Sequence, residues 1–407
     1  MMHIFLIIFL FCNLPIKSTN IDSSILQIQD LANSFCDSEV LIRFAVVPDL
    51  SGELMYMAYV FKHGMDAPHL YSICSEKNLL ALVDDKYDYY NETQLLSRIL
   101  SPISHELCNV ETIYFIPAGK LHEIALEYCK DSNGKMFCEN YNVFRFSSPS
   151  VLSEFGRKKS KQKVAIWGGI DFNADLSEFT KYEYADTTNI SKCNIGYLED
   201  SYKAAVLINN EIRQQRICTD FYFDNEATEK NFKSQSWNTI DIFFIETHGL
   251  FLNNYNMASV QDKKDPMENH ALALAGASYT LEGGIVPDSI DDGILTAKEI
   301  SELDLSNVDL AVISACKSAL GEIREDGVYG LTRGFKLAGV KSLIMATDDI
   351  VDYVSGQLWI QLFRNLAKGM TKREALLQGL KYIRTIDDGA FSHPKYWTPF
   401  ILIDGVE

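Results

Sequence analysis

Lysine and arginine are the minority charges in this chain. Against 55 aspartates and glutamates stand only 37 basic residues, a formal net charge of -18. Such a surface repels nucleic acid and anionic membrane and removes both as expected partners. The nine cysteines (12, 36, 74, 108, 129, 138, 193, 218 and 316) form no CxxC pair and no Cys/His cluster at zinc spacing, so neither a metal nor a cofactor is expected. Most read as small buried apolar residues. A Cys129–Cys138 bridge across the Asp131-Ser-Asn-Gly134 turn stays open. There is no Gly-x-Ser-x-Gly elbow, which counts against an esterase of the α/β-hydrolase kind, and no tandem repeat.

Long apolar runs are also scarce. The one targeting candidate is Ile4-Phe-Leu-Ile-Ile-Phe-Leu-Phe-Cys-Asn-Leu14, which falls short of the roughly 20 residues of a membrane span. It fits the apolar part of a signal peptide, but no Lys or Arg precedes it and Ile16-Lys-Ser18 is a mediocre cleavage site. An exported chain and a cytoplasmic chain with a stray apolar leader both remain open.

What the sequence does contain is a core. Hydrophobic residues make up 47% and aromatics 12% of the 407 residues, enough for one large α/β domain or two ordinary ones. Residues 1–38 read as an apolar leader and polar spacer. The basic stretch Gly156-Arg-Lys-Lys-Ser-Lys-Gln-Lys163 is the best boundary, read as a solvated connector. It divides a first lobe over 39–160 from a second over 161–407. In the first, Val40–Val47 and Leu54–Phe61 flank Pro48-Asp-Leu-Ser-Gly52, a hairpin signal, and His69–Cys74 adds a third antiparallel strand. Helical text from Thr93 to Leu100 and a strand over Thr112–Ile116 follow; His122 beyond them reads as a structural histidine.

In the second lobe strands alternate with helices. Strands are expected over Val164–Trp167, Thr219–Phe223, Ser342–Ala346 and, as a closing edge strand, Trp397–Ile403. Helices are expected over Leu198–Gln215, Ala227–Ser234, Gly330–Leu337, Val354–Ala367 and Thr371–Ile383. This alternation means an α/β fold with a mostly parallel sheet flanked by helices.

Two stretches organise that sheet: Asp241-Ile-Phe-Phe-Ile-Glu-Thr-His248-Gly249 and Leu310-Ala-Val-Ile-Ser-Ala-Cys316-Lys-Ser318. Each is an apolar run of strand length, buried on both faces, that ends on a residue able to do chemistry. Ligands and catalytic groups collect beyond the carboxyl ends of parallel strands. A thiol beside an imidazole there gains what it needs to act as a nucleophile. Taken alone, Cys316 reads as a core thiol; paired with His248 it reads as catalytic. The backbone N–H groups of Cys316 and Gly249 are the candidate oxyanion hole, the glycine letting substrate approach the chain. Glu246 is either an orienter of the imidazole or an exposed-edge carboxylate. Asp348, Asp349 and Asp352 either line a pocket that selects Arg or Lys or complement the dipole of the helix that follows.

Several ordered motifs resemble the CHAT family: His248-Gly249 after its strand, Asp292-Gly-Ile-Leu-Thr-Ala-Lys-Glu-Ile300, Ser314-Ala-Cys316 with Gly321, and Gly330-Leu-Thr-Arg-Gly-Phe-Lys-Leu-Ala-Gly339. So do Ile116-Pro-Ala-Gly-Lys-Leu-His122 and the closing His393-Pro-Lys-Tyr-Trp-Thr-Pro-Phe400. The resemblance runs from about Val40 to Gly405. It implies a caspase-like fold grouped with separases, caspases and gingipains, and a degenerate first lobe beside an active second one. It also implies a cysteine endopeptidase with His248 and Cys316 as its pair, acting on a protein or peptide. The alternative is a catalytically silent scaffold or interaction module. Where the family usually carries Trp, this chain has Asp348. Tetratricopeptide repeats, often fused upstream in the family, are absent, so the resemblance implies a regulator on a separate chain. The polar insertion from Gly249 to Pro287 is expected as a long loop, either an ordinary exposed one or one that gates the pocket with Lys263-Lys264 as a self-cleavage point.

Overall fold

The computed structural model describes residues 35–85, 87–148, 151, 163–174, 195–255, 265–284, 286, 290–324 and 327–406. The apolar run 4–14, most of the basic connector and Lys263-Lys264 lie outside the described residues. No helix among those described is long and apolar enough to cross a membrane.

The first part supplies β1 (Glu39–Pro48), β2 (Leu54–Phe61), β3 (His69–Ser75), β4 (Thr112–Ile116) and β5 (Asn142–Arg145). The expected hairpin forms, with Leu41 opposite Phe61 and Pro48 opposite Leu54, and β3 joins antiparallel. β4 and β5 then add in parallel on the other side of β1. The second part supplies β6 (Lys163–Ile170), β7 (Cys218–Asp224), β8 (Ile242–Glu246), β9 (Gly249–Phe251), β10 (His270–Ala273) and β11 (Ile294–Thr296). It continues with β12 (Leu310–Ser314), the hairpin strands β13 (Gly321–Arg324) and β14 (Gly327–Gly330), then β15 (Ser342–Ala346) and β16 (Phe400–Ile403).

Eleven strands make one sheet in the order β3-β2-β1-β4-β5-β16-β15-β12-β8-β6-β7. The closing strand was expected at an edge. It lies inside the sheet, antiparallel to β15 and parallel to β5, where Ile403 faces Arg145. Pro399 is tolerated because it stops one residue short of β16, offering its carbonyl to Thr347 N–H at 2.9 Å.

The central strands are buried on both faces, as continuous apolar runs require. Side chains alternate along β8. Phe243 meets Phe335 of the helix Leu331–Leu337. Phe244 meets Trp359 and Phe363 of the helix Asp352–Ala367 on the other face. That long helix packs beside the helix Glu199–Gln214, where Arg364 Nε donates to Glu211 at 3.0 Å.

The insertion after His248 departs from expectation. Its strands β9 and β10 join β11 in a small sheet, and Leu250, Leu252 and Ala271–Ala275 are fully buried. The polar residues that made it look like loop are bunched at its middle, while both ends are apolar enough to fold. Cys129 and Cys138 are free, buried thiols and not a bridge.

Candidate active site

β8 and β12 run side by side in parallel, with Glu246 opposite Ser314. Thr247 N–H reaches Ser314 O at 2.9 Å, carrying the pairing one step past the strand end. His248 and Cys316 each lie two residues beyond that last pair, so they sit at equal offsets past the ends of adjacent strands. The backbones meet there: a Cβ on Gly249 would collide with the carbonyl oxygen of Cys316.

His248 Nε2 lies 2.7 Å from Gly196 O. A carbonyl only accepts, so Nε2 carries the hydrogen and Nδ1 is the nitrogen left for chemistry. The ring packs on Phe172 at 5.0 Å between centroids. The half-buried Cys316 sulfur accepts from Ile350 N–H at 3.5 Å, and its S–H has Ile350 O at 3.9 Å. Imidazole and thiol share no hydrogen bond among the described residues. Burial pushes the thiol above its ordinary range; the Ile350 N–H opposes this and the Asp349 carboxylate adds to it.

Behind the sulfur the chain turns sharply. Lys317 takes a left-handed φ of 53°, uncommon outside glycine, and its N–H is held by Asp348 O at 3.0 Å. Ser318 Oγ accepts from Ala346 N–H at 3.0 Å, tying the turn to the end of β15. Cys316 N–H makes no hydrogen bond among the described residues. Gly249 N–H is directed off its ladder. Bonded and non-bonded pairs alternate in antiparallel strands, and Ala273 N–H already bonds His248 O. Gly249, opposite Leu272, therefore falls in a non-bonded pair.

The carboxylates are less free than expected. Glu246 is neither at an edge nor hydrogen-bonded to His248. It shares the Phe244 face of β8 and is 2% exposed, accepting from Ser314 Oγ at 2.9 Å and Ser355 Oγ at 3.1 Å. Burial, reinforced by the Asp352 charge, raises its pKa to about 8. Asp352 opens the long helix and accepts Asp200 N–H at 2.9 Å. Asp348 is buried and accepts from Tyr87 Oη at 2.6 Å. Asp349 alone stays exposed, paired with Lys317 at 2.8 Å.

The sequence profile of the CHAT domain matches residues 92–404, well over half of the chain. The chain belongs to the CHAT domain family. Over 110 residues this CHAT protein is 32% identical to tetratricopeptide repeat protein 28 of Mus musculus, covering 27% of this chain and 4% of that one. The Homo sapiens protein of the same name matches at 28% over 141 residues, 31% of this chain and 6% of that one. The CHAT chain thus spans a small fraction of the length of these curated relatives. Among solved structures, the Saccharomyces cerevisiae separase–securin complex aligns over 95% of this chain and 31% of that one, with a TM-score of 0.50 at 10% identity. The Arg-specific cysteine proteinase gingipain R aligns over 77% and 67%, with a TM-score of 0.43 at 11% identity. The fold is caspase-like.

Sequence reasoning about this CHAT domain missed Gly196, Phe172, Ile350 and Tyr87. Nothing local marks the first three as site residues. Tyr87 stands in the acidic, aromatic run Asp84-Asp-Lys-Tyr-Asp-Tyr-Tyr90, the one signal that a polar contact was to be sought there.

Proposed function

We propose that this CHAT protein is a cysteine endopeptidase in which Cys316 is the nucleophile and His248 the general acid and base. The reading is carried by the register that sets the two residues at equal offsets beyond paired strands, with Gly249 against the Cys316 carbonyl. His248 Nδ1 takes the thiol proton, and the sulfur attacks the peptide carbonyl carbon. The oxyanion is met by Gly249 and Cys316 N–H, each such donor worth about 2.7–4 kcal/mol of barrier. The imidazolium then returns the proton to the leaving amine as the C–N bond breaks. Water, deprotonated by the same nitrogen, cleaves the thioester and frees the acid. The substrate is a protein or peptide. A separate regulatory chain, of the tetratricopeptide kind named in its relatives, would act as partner.

Three observations favour a silent scaffold: the sulfur is held by Ile350, its pKa is raised, and the imidazole is bonded elsewhere. Resting sites often tighten only with substrate, so the peptidase remains the better reading. An electrophilic probe for reactive thiols separates the two. Labelling of Cys316 that disappears in His248→Ala and on unfolding supports the enzyme; labelling indifferent to His248 supports the scaffold.

A further inference from the structure

The first lobe reaches toward the thiol site through Tyr87. Tyr87 Oη donates to Asp348 Oδ2 at 2.6 Å, across 261 positions of sequence. The other carboxylate oxygen of Asp348 accepts Asp349 N–H at 2.8 Å. Its backbone carbonyl accepts Lys317 N–H, the residue after the cysteine, at 3.0 Å. Two residues further on, Ile350 N–H donates to Cys316 Sγ at 3.5 Å. One buried aspartate therefore ties three things together: the tyrosine, the turn behind the cysteine, and the turn in front of its sulfur.

Tyr87 is itself well anchored. It precedes the short helical turn Asp88–Tyr90, whose Tyr89 and Tyr90 are buried. Tyr90 Oη accepts Ala125 N–H at 2.9 Å, and the Tyr87 ring meets His393 edge-on at 6.2 Å. The 348–350 turn has a weaker hold on its own solvent side, where Asp349 is exposed. An exposed ion pair such as Lys317–Asp349 contributes little, whereas a short hydrogen bond to a buried carboxylate is about twice as strong as a neutral one, so the Tyr87 hydroxyl is a firm constraint on that turn.

We propose that Tyr87 is a positioning residue for Cys316, acting through Asp348 to hold the 348–350 turn where the Ile350 N–H meets the sulfur. The proposal rests on the reading of Cys316 as nucleophile. Under it, the first lobe tunes the thiol through the 348–350 turn. A partner that shifts the Tyr87 segment would change reactivity without touching His248 or Cys316.

The test is the rate of Cys316 alkylation by iodoacetamide as a function of pH, followed by the mass of the tryptic peptide Glu299–Lys317, in which Cys316 is the sole cysteine. Tyr87→Phe should keep the wild-type melting temperature. It should slow alkylation at neutral pH about fivefold, the ratio expected for one ordinary hydrogen bond, and move the profile to higher pH. A role confined to packing would leave the profile in place. In the Asp348→Ala background the same replacement should change nothing, since the route is already cut. A wild-type profile for Tyr87→Phe, or an equal effect with and without Asp348, overturns the proposal. His248→Ala is the control for the underlying reading: if it leaves the wild-type profile unaltered, the nucleophile assignment falls, whatever Tyr87 does. A profile that depends on His248 and ignores Tyr87 removes Tyr87 alone.

Discussion

Gly249 lies against Cys316 so closely that no side chain fits between them: a Cβ would overlap the Cys316 carbonyl oxygen. That contact adds to the Thr247 N–H bond to Ser314 O and the Ser314 Oγ bond to Glu246 in joining the two strand ends. Gly249→Ala must push β9 away from the cysteine turn. It is expected to cost about 1–3 kcal/mol of stability, the usual range for overpacking, and to abolish probe labelling of Cys316. Urea unfolding and labelling of the same preparation check both. A variant as stable and as reactive as wild type would mean that the two strand ends stand farther apart.

Glu246 gives a pH dependence with a definite sign. Its pKa in the folded chain is raised to about 8 by burial, and the nearby Asp352 charge adds to this. In the unfolded chain it titrates near the ordinary glutamate value of 4.5. Below that value both states hold the proton and the stability is fully present. Between about 4.5 and 8 the unfolded chain loses the proton first, so stability falls by up to about 1.4 kcal/mol per pH unit. Glu246→Gln cannot titrate and should flatten this decline. Urea midpoints at several pH values between 5 and 8 decide it; parallel curves for the two proteins would show that Glu246 is ionised in the fold.

Asp349 is the carboxylate still exposed at the rim, and its pair with Lys317 is an ordinary surface bridge worth about 0–1 kcal/mol. Asp349→Lys should therefore barely move the melting temperature. If the rim selects basic side chains, hydrolysis of peptides with Arg or Lys before the scissile bond should drop at least tenfold, while other peptides lose little. Equal losses across a peptide library would remove Asp349 from substrate choice.

Much of the fold was legible because its signals are local. The helices Glu199–Gln214 and Asp352–Ala367 carry apolar periodicity, and β8, β12 and β15 are unbroken apolar runs. The strand ends bearing His248 and Cys316 were visible for the same reason. What stayed hidden depends on distant partners. The closing strand resembles an edge strand because nothing in Phe400–Ile403 records that β5, more than 250 positions earlier, will cover it. Glu246 was misread because its partners are Ser314 and Ser355, which lie far along the sequence. The Gly196 and Tyr87 contacts span 52 and 261 positions, and neither residue type announces its role. The insertion was misjudged from average composition, which conceals apolar strands at both ends of a polar stretch.

Peptide hydrolysis by the wild type and by Cys316→Ala, each with its melting curve, tests the central claim most directly. The account predicts cleavage products from the wild type, none from the variant, and melting temperatures within a few degrees, because one sulfur at the rim of a sheet leaves little cavity. The same products from both proteins, or a variant that melts far lower while cleavage persists, would show that Cys316 is a core residue and that the chemistry, if any, is elsewhere.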